Sequence, residues 1–206
     1  LEADTIGGFN SLIAKQKKEE GTALISTVLF DDQTEVLYDR ISLDRIEPMN
    51  DRQYYVRGCT ALLDALGGAI HHIGNVHKYA REEDRPEKTI FIITTDGMEN
   101  SSHRYTYDKV KKMVERQRDR YGWEFLFLGA NIDAIEVAGR FGVQANRAVN
   151  YECDSEGTQL NYEVLSKAVS RVRTCAAPTA AMAFDECDDW AEEIRADYSK
   201  RHRGKR

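Results

Sequence analysis

The sequence predicts an α/β fold, with a doubly wound, mostly parallel sheet and one antiparallel hairpin at its edge. Apolar runs typical of strands alternate with helical patterns along most of the chain, which favours a parallel sheet covered by helices on both faces. Only one pair of predicted strands is joined by a short turn, "DDQ", which indicates antiparallel pairing. The polar stretch after "IFIITT" lies where such folds bind ligands, beyond the carboxyl ends of the strands.

The first part of the chain predicts one helix and the hairpin. Ile6, Phe9 and Ile13 recur at helical spacing, which predicts an amphipathic helix ending near Gly21. The apolar and β-branched run "TALISTVLF" predicts a strand, and the more polar "TEVLYDRISL" predicts its partner at the edge of the sheet.

The rest of the domain predicts alternating helices and strands. Apolar residues at steps of three and four predict a helix that stops before Pro86, and Asn131 is the expected N-cap of a later helix. The predicted helices cover residues 63–80, 107–121, 131–142 and 160–172, and the predicted strands cover 89–95, 123–130 and 147–151.

The character of the sequence changes after Thr174. The small apolar stretch "CAAPTAAMAF" predicts a linker, and the acidic-then-basic segment that follows predicts a partly frayed C-terminal helix. Trp190 and Ile194 would give that helix a small apolar stripe. We therefore divide the chain into a domain over residues 1–174 and a linker with a charged tail over residues 175–206.

Composition excludes several classes of protein. The 206 residues carry a net charge of −6 with a pI near 5.5, which argues against nucleic acid as a general partner. No apolar run is long enough to span a bilayer, and the first residues do not resemble a signal peptide. The four cysteines lie far apart without a CxxC pair, which favours reduced thiols and a cytoplasmic location.

The common catalytic and nucleotide-binding motifs are missing from the sequence. It has no Walker loop, no G-x-G-x-x-G after a strand and no G-x-S-x-G elbow. His71, His72 and His77 lack the H-E-x-x-H pattern, so we interpret them as histidines on or beside the apolar face of a helix rather than as metal ligands.

Thr60 and Asp96 are the remaining candidates for a site. Thr60 lies in a Gly-containing loop before a helix, and Asp96 follows a predicted parallel strand. A hydroxyl and a carboxylate at one edge of a sheet suit Mg²⁺ or Mn²⁺. An N-cap threonine and an aspartate in a turn give the same pattern, and Asp96 as a nucleophile is a third alternative.

Five segments, taken in order, resemble a von Willebrand factor type A (vWA) domain of the bacterial intracellular kind. They are "TIGGFNSLI", "ALISTVLFDDQTEVLYDRISL", "GCTALLDAL", "IFIITTDGMENSS" and "WEFLFLGANIDAIEVA". The resemblance covers most of the chain and implies a Rossmann-like sheet. It also implies a metal-ion-dependent adhesion site (MIDAS), in which Thr60 and Asp96 match the second and third ligand loops. Such a site holds Mg²⁺ or Mn²⁺ and captures an acidic residue of a partner protein.

The sequence departs from the family in its first ligand loop. It contains no Asp-x-Ser-x-Ser motif, and the strand that carries this motif in the family is also absent, as in an N-terminally truncated domain. The strands "ALISTVLF" and "TIFIITT" would then lack their shared neighbour, and the open edge would favour a homo-oligomer. We expect weak or absent metal binding, with Glu99, Asn100 and Ser101 lining the rim of the site.

The expected function is therefore protein binding by a non-enzymatic, vWA-like module with an incomplete MIDAS. One alternative is a metal-free scaffold or oligomerisation domain, in which Thr60 and Asp96 are only structural. A Rossmann-like hydrolase that uses Asp96 is the less favoured alternative, because no base or phosphate loop accompanies that residue.

Overall fold

The computed structural model describes residues 1–56, 58–186 and 189–202. In these ranges helices and strands alternate, and no helix is both long and apolar enough to cross a membrane. The α-helices are α1 (Glu2–Gln16), α2 (Leu62–Tyr79), α3 (Tyr107–Tyr121), α4 (Ala134–Arg140), α5 (Ser155–Thr174), α6 (Ala180–Asp185) and α7 (Glu192–His202). The strands are β1 (Leu24–Phe30), β2 (Thr34–Ser42), β3 (Ile90–Thr95), β4 (Glu124–Gly129) and β5 (Ala148–Asn150).

The strands form two separate sheets. β1 and β2 pair antiparallel, with Phe30 opposite Thr34 at the turn. β3, β4 and β5 pair parallel in that order, with Ile90 opposite Glu124. The predicted α/β class and the mixture of parallel and antiparallel pairing are confirmed. The described strands do not join into one sheet, because β1 and β3 are not paired with each other.

β4 is the centre of the parallel sheet and is buried along its whole length. Phe125 and Phe127 face a core formed with α2, α3 and α4, whereas Leu126 and Leu128 face a second core formed with α5, α6 and α7. A strand covered on both faces reads as a continuous apolar run, which is why "FLFL" lacks the alternation of an exposed strand.

Two helices connect the hairpin with the parallel sheet. On one face, Leu12 of α1 packs against both the second core and a small cluster formed with β1 and β2. On the other face, Phe30 of β1 packs against the core that contains Leu62 and Ile93. The hairpin is therefore held to the rest of the molecule by helix packing, without strand pairing between β1 and β3.

The C-terminal segment packs onto the parallel sheet. Phe184 is 2% exposed, Trp190 is 7% exposed, and Ile194 is 2% exposed. The Trp190 indole N–H donates to the carbonyl of Asn146 at 2.9 Å. The described part of this segment is thus docked rather than frayed, because its apolar residues cover the outer face of β4 and β5. Cys187 and residues 203–206 of the basic end lie outside the described residues.

Candidate functional site

Polar residues from three strand ends lie along one edge of the fold. Asp31 follows β1, and its carbonyl accepts a hydrogen bond from Ala61 N–H at 2.5 Å. Asp96 follows β3, and its carbonyl accepts a hydrogen bond from the Asn131 side chain, after β4, at 3.3 Å. This edge, at the carboxyl ends of parallel strands, is where α/β folds place their binding residues.

The loops that carry Thr60 and Asp96 lie side by side. Thr60 N–H donates to Asn100 Oδ1 at 2.9 Å, and Asn100 N–H donates back to the Thr60 carbonyl at 3.0 Å. The Thr60 hydroxyl oxygen is 3.4 Å from the point that a Cβ on Gly97 would occupy. The structure therefore brings the threonine hydroxyl against the backbone that immediately follows Asp96.

The Asp96 side chain is exposed at this edge. Among the residues that the structure describes, none makes a hydrogen bond or ion pair with its carboxylate. Nearby groups respond to its charge: burial raises the pKa of the Tyr54 phenol, and the Asp96 carboxylate raises that pKa further. The Asp96 carboxylate is therefore without a hydrogen-bond or ion-pair partner among the described residues.

Two residues that follow β5 also lie close to Asp96, and sequence reasoning did not single them out. Burial raises the pKa of the Tyr151 phenol and of the Cys153 thiol, and the charge of Asp96 raises both further. Both groups stay protonated at neutral pH, so neither supplies a nucleophile or a general base. Their position at the carboxyl end of a predicted strand was the sequence feature that could have indicated their closeness to the site.

Glu99 has a structural role that the sequence did not reveal. Its carboxylate accepts hydrogen bonds from Leu63 N–H in the first turn of α2, at 2.8 Å, and from Ser101 N–H at 3.0 Å. It also accepts bonds from the backbone N–H and the hydroxyl of Ser102, both at 2.8 Å. That Glu99 lines the rim of the site stays a prediction, and these contacts show that its oxygens already cap the first turn of α2.

The other rim residues are held in the same network. The Ser101 hydroxyl donates to Asn100 Oδ1 at 2.7 Å. The Asp64 carboxylate of α2 accepts hydrogen bonds from three successive backbone N–H groups, at 103, 104 and 105. Burial opposes the ionisation of Asp64, but these donors outweigh it and lower its pKa. The loop after Asp96 is thus tied closely to α2.

Asn131 does not cap α4 as expected. Its backbone has a φ of 57°, a left-handed conformation that asparagine tolerates better than most residues. Asp133 is the N-cap instead, since its side chain accepts a hydrogen bond from Glu136 N–H at 3.0 Å. The left-handed turn leaves the Asn131 amide free to donate to the Asp96 carbonyl.

The histidines of α2 do not converge on a common point. His72 Nε2 is 2.9 Å from a carboxylate oxygen of Asp39 in β2, and His71 contacts Asn75. His77 packs edge-on against Trp123, with ring centroids 5.3 Å apart. Within the described ranges, no group of three or more histidine, cysteine or acidic side chains has the geometry of a metal site.

The site therefore combines one exposed carboxylate, one hydroxyl and a loop that is hydrogen-bonded to α2, at the carboxyl edge of the parallel sheet. The sequence matches no protein-family model and no curated protein. The chemistry that an exposed carboxylate and a nearby hydroxyl allow is binding of a cation or of a hydrogen-bond donor.

Proposed function

We propose that the chain is a protein-binding module that resembles a vWA domain and carries only part of an adhesion site. The observation that carries this proposal is that the Thr60 loop contacts the loop that follows Asp96, whose exposed carboxylate has no hydrogen-bond or ion-pair partner among the described residues. Met98, which is 65% exposed in the same loop, adds an apolar contact of a kind that is enriched in protein interfaces.

The donor set fits Mg²⁺ or Mn²⁺ poorly. Thr60 supplies one hydroxyl and Asp96 supplies one carboxylate, whereas Glu99 is occupied in capping α2. Hard divalent ions need about six oxygen ligands, and two protein donors leave most of them to water. We therefore propose that this chain binds either ion weakly or not at all.

The partner in this proposal presents an acidic side chain, as the resemblance implies. Two carboxylates repel each other at close range unless a cation lies between them. Because the donor set is small, the interaction is expected to be weak and to depend on added Mg²⁺ or Mn²⁺.

A fluorescent peptide with a single central glutamate tests the proposal. We expect its anisotropy to report binding with a Kd of about 1 mM in excess Mg²⁺. Binding should disappear with chelator and in Asp96→Asn, which preserves shape and removes the charge. Asp51→Asn, at another exposed aspartate, is the matched control and should bind as the parent does. Absence of binding in the parent, or equal binding by Asp96→Asn, would overturn the proposal.

Calorimetric titration with Mg²⁺ or Mn²⁺ alone tests the donor set separately. We expect no affinity in the micromolar range. Micromolar binding that Asp96→Asn removes would contradict our interpretation of the site as incomplete.

A metal-free scaffold is the second candidate function, and the role of Glu99 favours it. Glu99, in the same loop as Asp96, caps α2 and holds the loop backbone, and in this second candidate Thr60 and Asp96 have structural roles of the same kind. The two candidates differ in one measurement, because a scaffold gives no Asp96-dependent peptide binding.

The hydrolase alternative has less support. A hydrolase site of this kind needs, beside Asp96, a second group that accepts a proton near neutral pH. The described groups around Asp96 that titrate with a raised pKa are Tyr54, Tyr151 and Cys153, and all are protonated at neutral pH.

A further inference from the structure

The exposed face of α3 carries a row of basic side chains. α3 holds six basic and three acidic residues, a net charge of +3 in a chain whose net charge is −6. Four of the basic residues recur at steps of three, four and four, which places them in one row along the helix. All four are exposed: Lys109, Lys112, Arg116 and Arg120. We call this row the basic stripe, and at 1.5 Å of rise per residue it is about 16 Å long.

No described acidic side chain forms an ion pair with the basic stripe. The Lys109 ammonium lies 4.2 Å from the centre of the Tyr105 ring, and the Arg120 guanidinium lies 5.7 Å from that of Tyr121. The side chains of the two central residues of the stripe make no polar contact with any described residue. The charges of the stripe are therefore open to a partner.

Acidic residues of α3 are paired on another side of the helix. Glu115 lies 3.9 Å from Lys111, and Asp119 lies 2.7 Å from Arg118. The side chains of Lys111 and Glu115 lie beside Gly142, and Arg118 donates to the Gly142 carbonyl at 3.1 Å. These paired charges thus face the turn after α4, and the basic stripe runs along the other side.

α2 borders the basic stripe and adds no free carboxylate to it. Gln117, three residues before Arg120, is next to the stripe on the helix surface. Its amide nitrogen is 3.3 Å from the point that a Cβ on Gly74 of α2 would occupy. α2 has no acidic residue after Asp64, whose carboxylate already accepts hydrogen bonds from the backbone before α3. The surface shared by the two helices is therefore basic.

We propose that the basic stripe binds an acidic helix of a partner protein. A helix whose carboxylates recur at steps of three and four presents them in a row with the same rise as the four cations. Each carboxylate then lies beside one cation, and such pairs fix the register of a contact and raise its association rate. Met113, half-buried beside the stripe, adds an apolar contact.

Nucleic acid suits the basic stripe less well. Single strands stack their bases on aromatic faces, whereas the rings of Tyr105 and Tyr121 already lie against cations of the stripe. A duplex presents phosphates on two strands, but the stripe is one side chain wide. Asp108 and Asp119 lie next to it on the helix surface, where they would repel a broad polyanion.

Fluorescence anisotropy with a designed helical peptide tests the proposal on the whole chain. The probe is an alanine-rich peptide with four glutamates at steps of three, four and four. The control peptide has the same composition, with its glutamates spread around the helix. At low salt we expect a Kd of about 100 μM for the probe and roughly tenfold weaker binding of the control peptide. Binding of the probe should weaken as the ionic strength rises.

Substitutions locate the contact. Lys112→Glu with Arg116→Glu should weaken binding of the probe by roughly tenfold or more, and the corresponding pair of glutamines should weaken it less. Lys15→Glu with Lys18→Glu, at exposed positions beside α1 and in its last turn, changes the net charge equally and should bind as the parent does. Circular dichroism shows that each variant is folded.

Three results would overturn the proposal: no binding of the probe by the parent, equal binding of the two peptides, or an equal loss in the α1 variant. Tighter binding of a single-stranded oligothymidine than of the probe would also overturn it, in favour of a nucleic-acid surface.

This inference stands apart from the proposed adhesion site. Binding of the acidic helix should survive both chelator and Asp96→Asn, each of which should abolish capture of the peptide with a single glutamate. Loss of both activities by Asp96→Asn would contradict separate surfaces.

Discussion

The parallel sheet and the β1–β2 hairpin differ in how completely they are covered. Every residue of β4 is buried, whereas no residue of β1 or β2 is. The hairpin also has register shifts, and Arg40 in β2 has a φ of 52°. Free energy from apolar burial is therefore concentrated in the parallel sheet, and the hairpin depends on α1 and α2 for its position.

The largest effect should come from a cavity in the parallel sheet. Phe127 is fully buried and contacts Phe141 edge-on, with ring centroids 5.3 Å apart. Phe127→Ala should lower the free energy of unfolding by about 3–5 kcal/mol. Val36→Ala in the hairpin, where the side chain is 58% exposed, should change it by about 0.5 kcal/mol or less. Urea unfolding followed by circular dichroism measures both changes. Similar losses of unfolding free energy in the two variants would contradict the difference between the parallel sheet and the hairpin.

Ion pairs should show the same difference between the regions. Arg147 Nε donates to Glu124 at 3.0 Å, and both side chains are almost fully buried. Arg147→Ala should cost about 3 kcal/mol, because it leaves a buried carboxylate without its partner. Asp39→Ala breaks the exposed contact with His72 and should cost about 1 kcal/mol or less. Equal effects in urea unfolding would show that burial does not set the cost.

The loop between the regions offers a comparison of two acidic residues. Glu99→Ala should cost about 1–2 kcal/mol, because it leaves the first turn of α2 without its cap. Asp96→Asn should change the free energy of unfolding by about 0.5 kcal/mol or less, since no described residue bonds its carboxylate. Thermal unfolding of the two variants gives the comparison. A larger loss of stability for Asp96→Asn would show that Asp96, and not Glu99, stabilises this loop.

The smallest effect should be a pH dependence from His77. Burial lowers the pKa of this imidazole below its ordinary 6.5, and nearby Arg40 and Arg85 lower it further. The unfolded chain then binds the proton more readily, so stability falls as the pH drops from about 6.5 toward the lowered value. His77→Gln should flatten this part of the profile. Urea unfolding at several pH values measures it, and an unchanged slope would show that another group titrates.

Local patterns predicted the elements well where periodicity was strong. The helix expected over residues 107–121 and the strand around "IFIITT" occur as predicted, because their apolar residues follow one period throughout. Asn131 was assigned wrongly as an N-cap, since its sequence neighbours suit both a cap and a left-handed turn. Asp133, two residues later, offers the same capping chemistry.

Local sequence patterns could not predict contacts between residues that are far apart in the sequence. Glu99 caps a helix that begins at Leu62, and its sequence context resembles that of a ligand-binding loop. Trp190 and Ile194 gave too short a stripe to predict docking, although both are buried against the parallel sheet. Such outcomes depend on which surfaces meet after folding.

By itself the sequence determined the α/β class, the order of helices and strands up to residue 174, and the position of Thr60 and Asp96 in loops at the ends of these elements; α6 lies in the segment that was predicted to be a linker. Apolar periodicity and turn residues act over a few positions, so they can be read directly from the chain. Only the tertiary structure decided that the described strands form two sheets and that the C-terminal helices pack against the parallel one. It also decided that the Glu99 carboxylate caps α2, whereas the Asp96 carboxylate stays exposed. These features arise from packing and hydrogen bonds between segments far apart in sequence, where no local pattern records the partner.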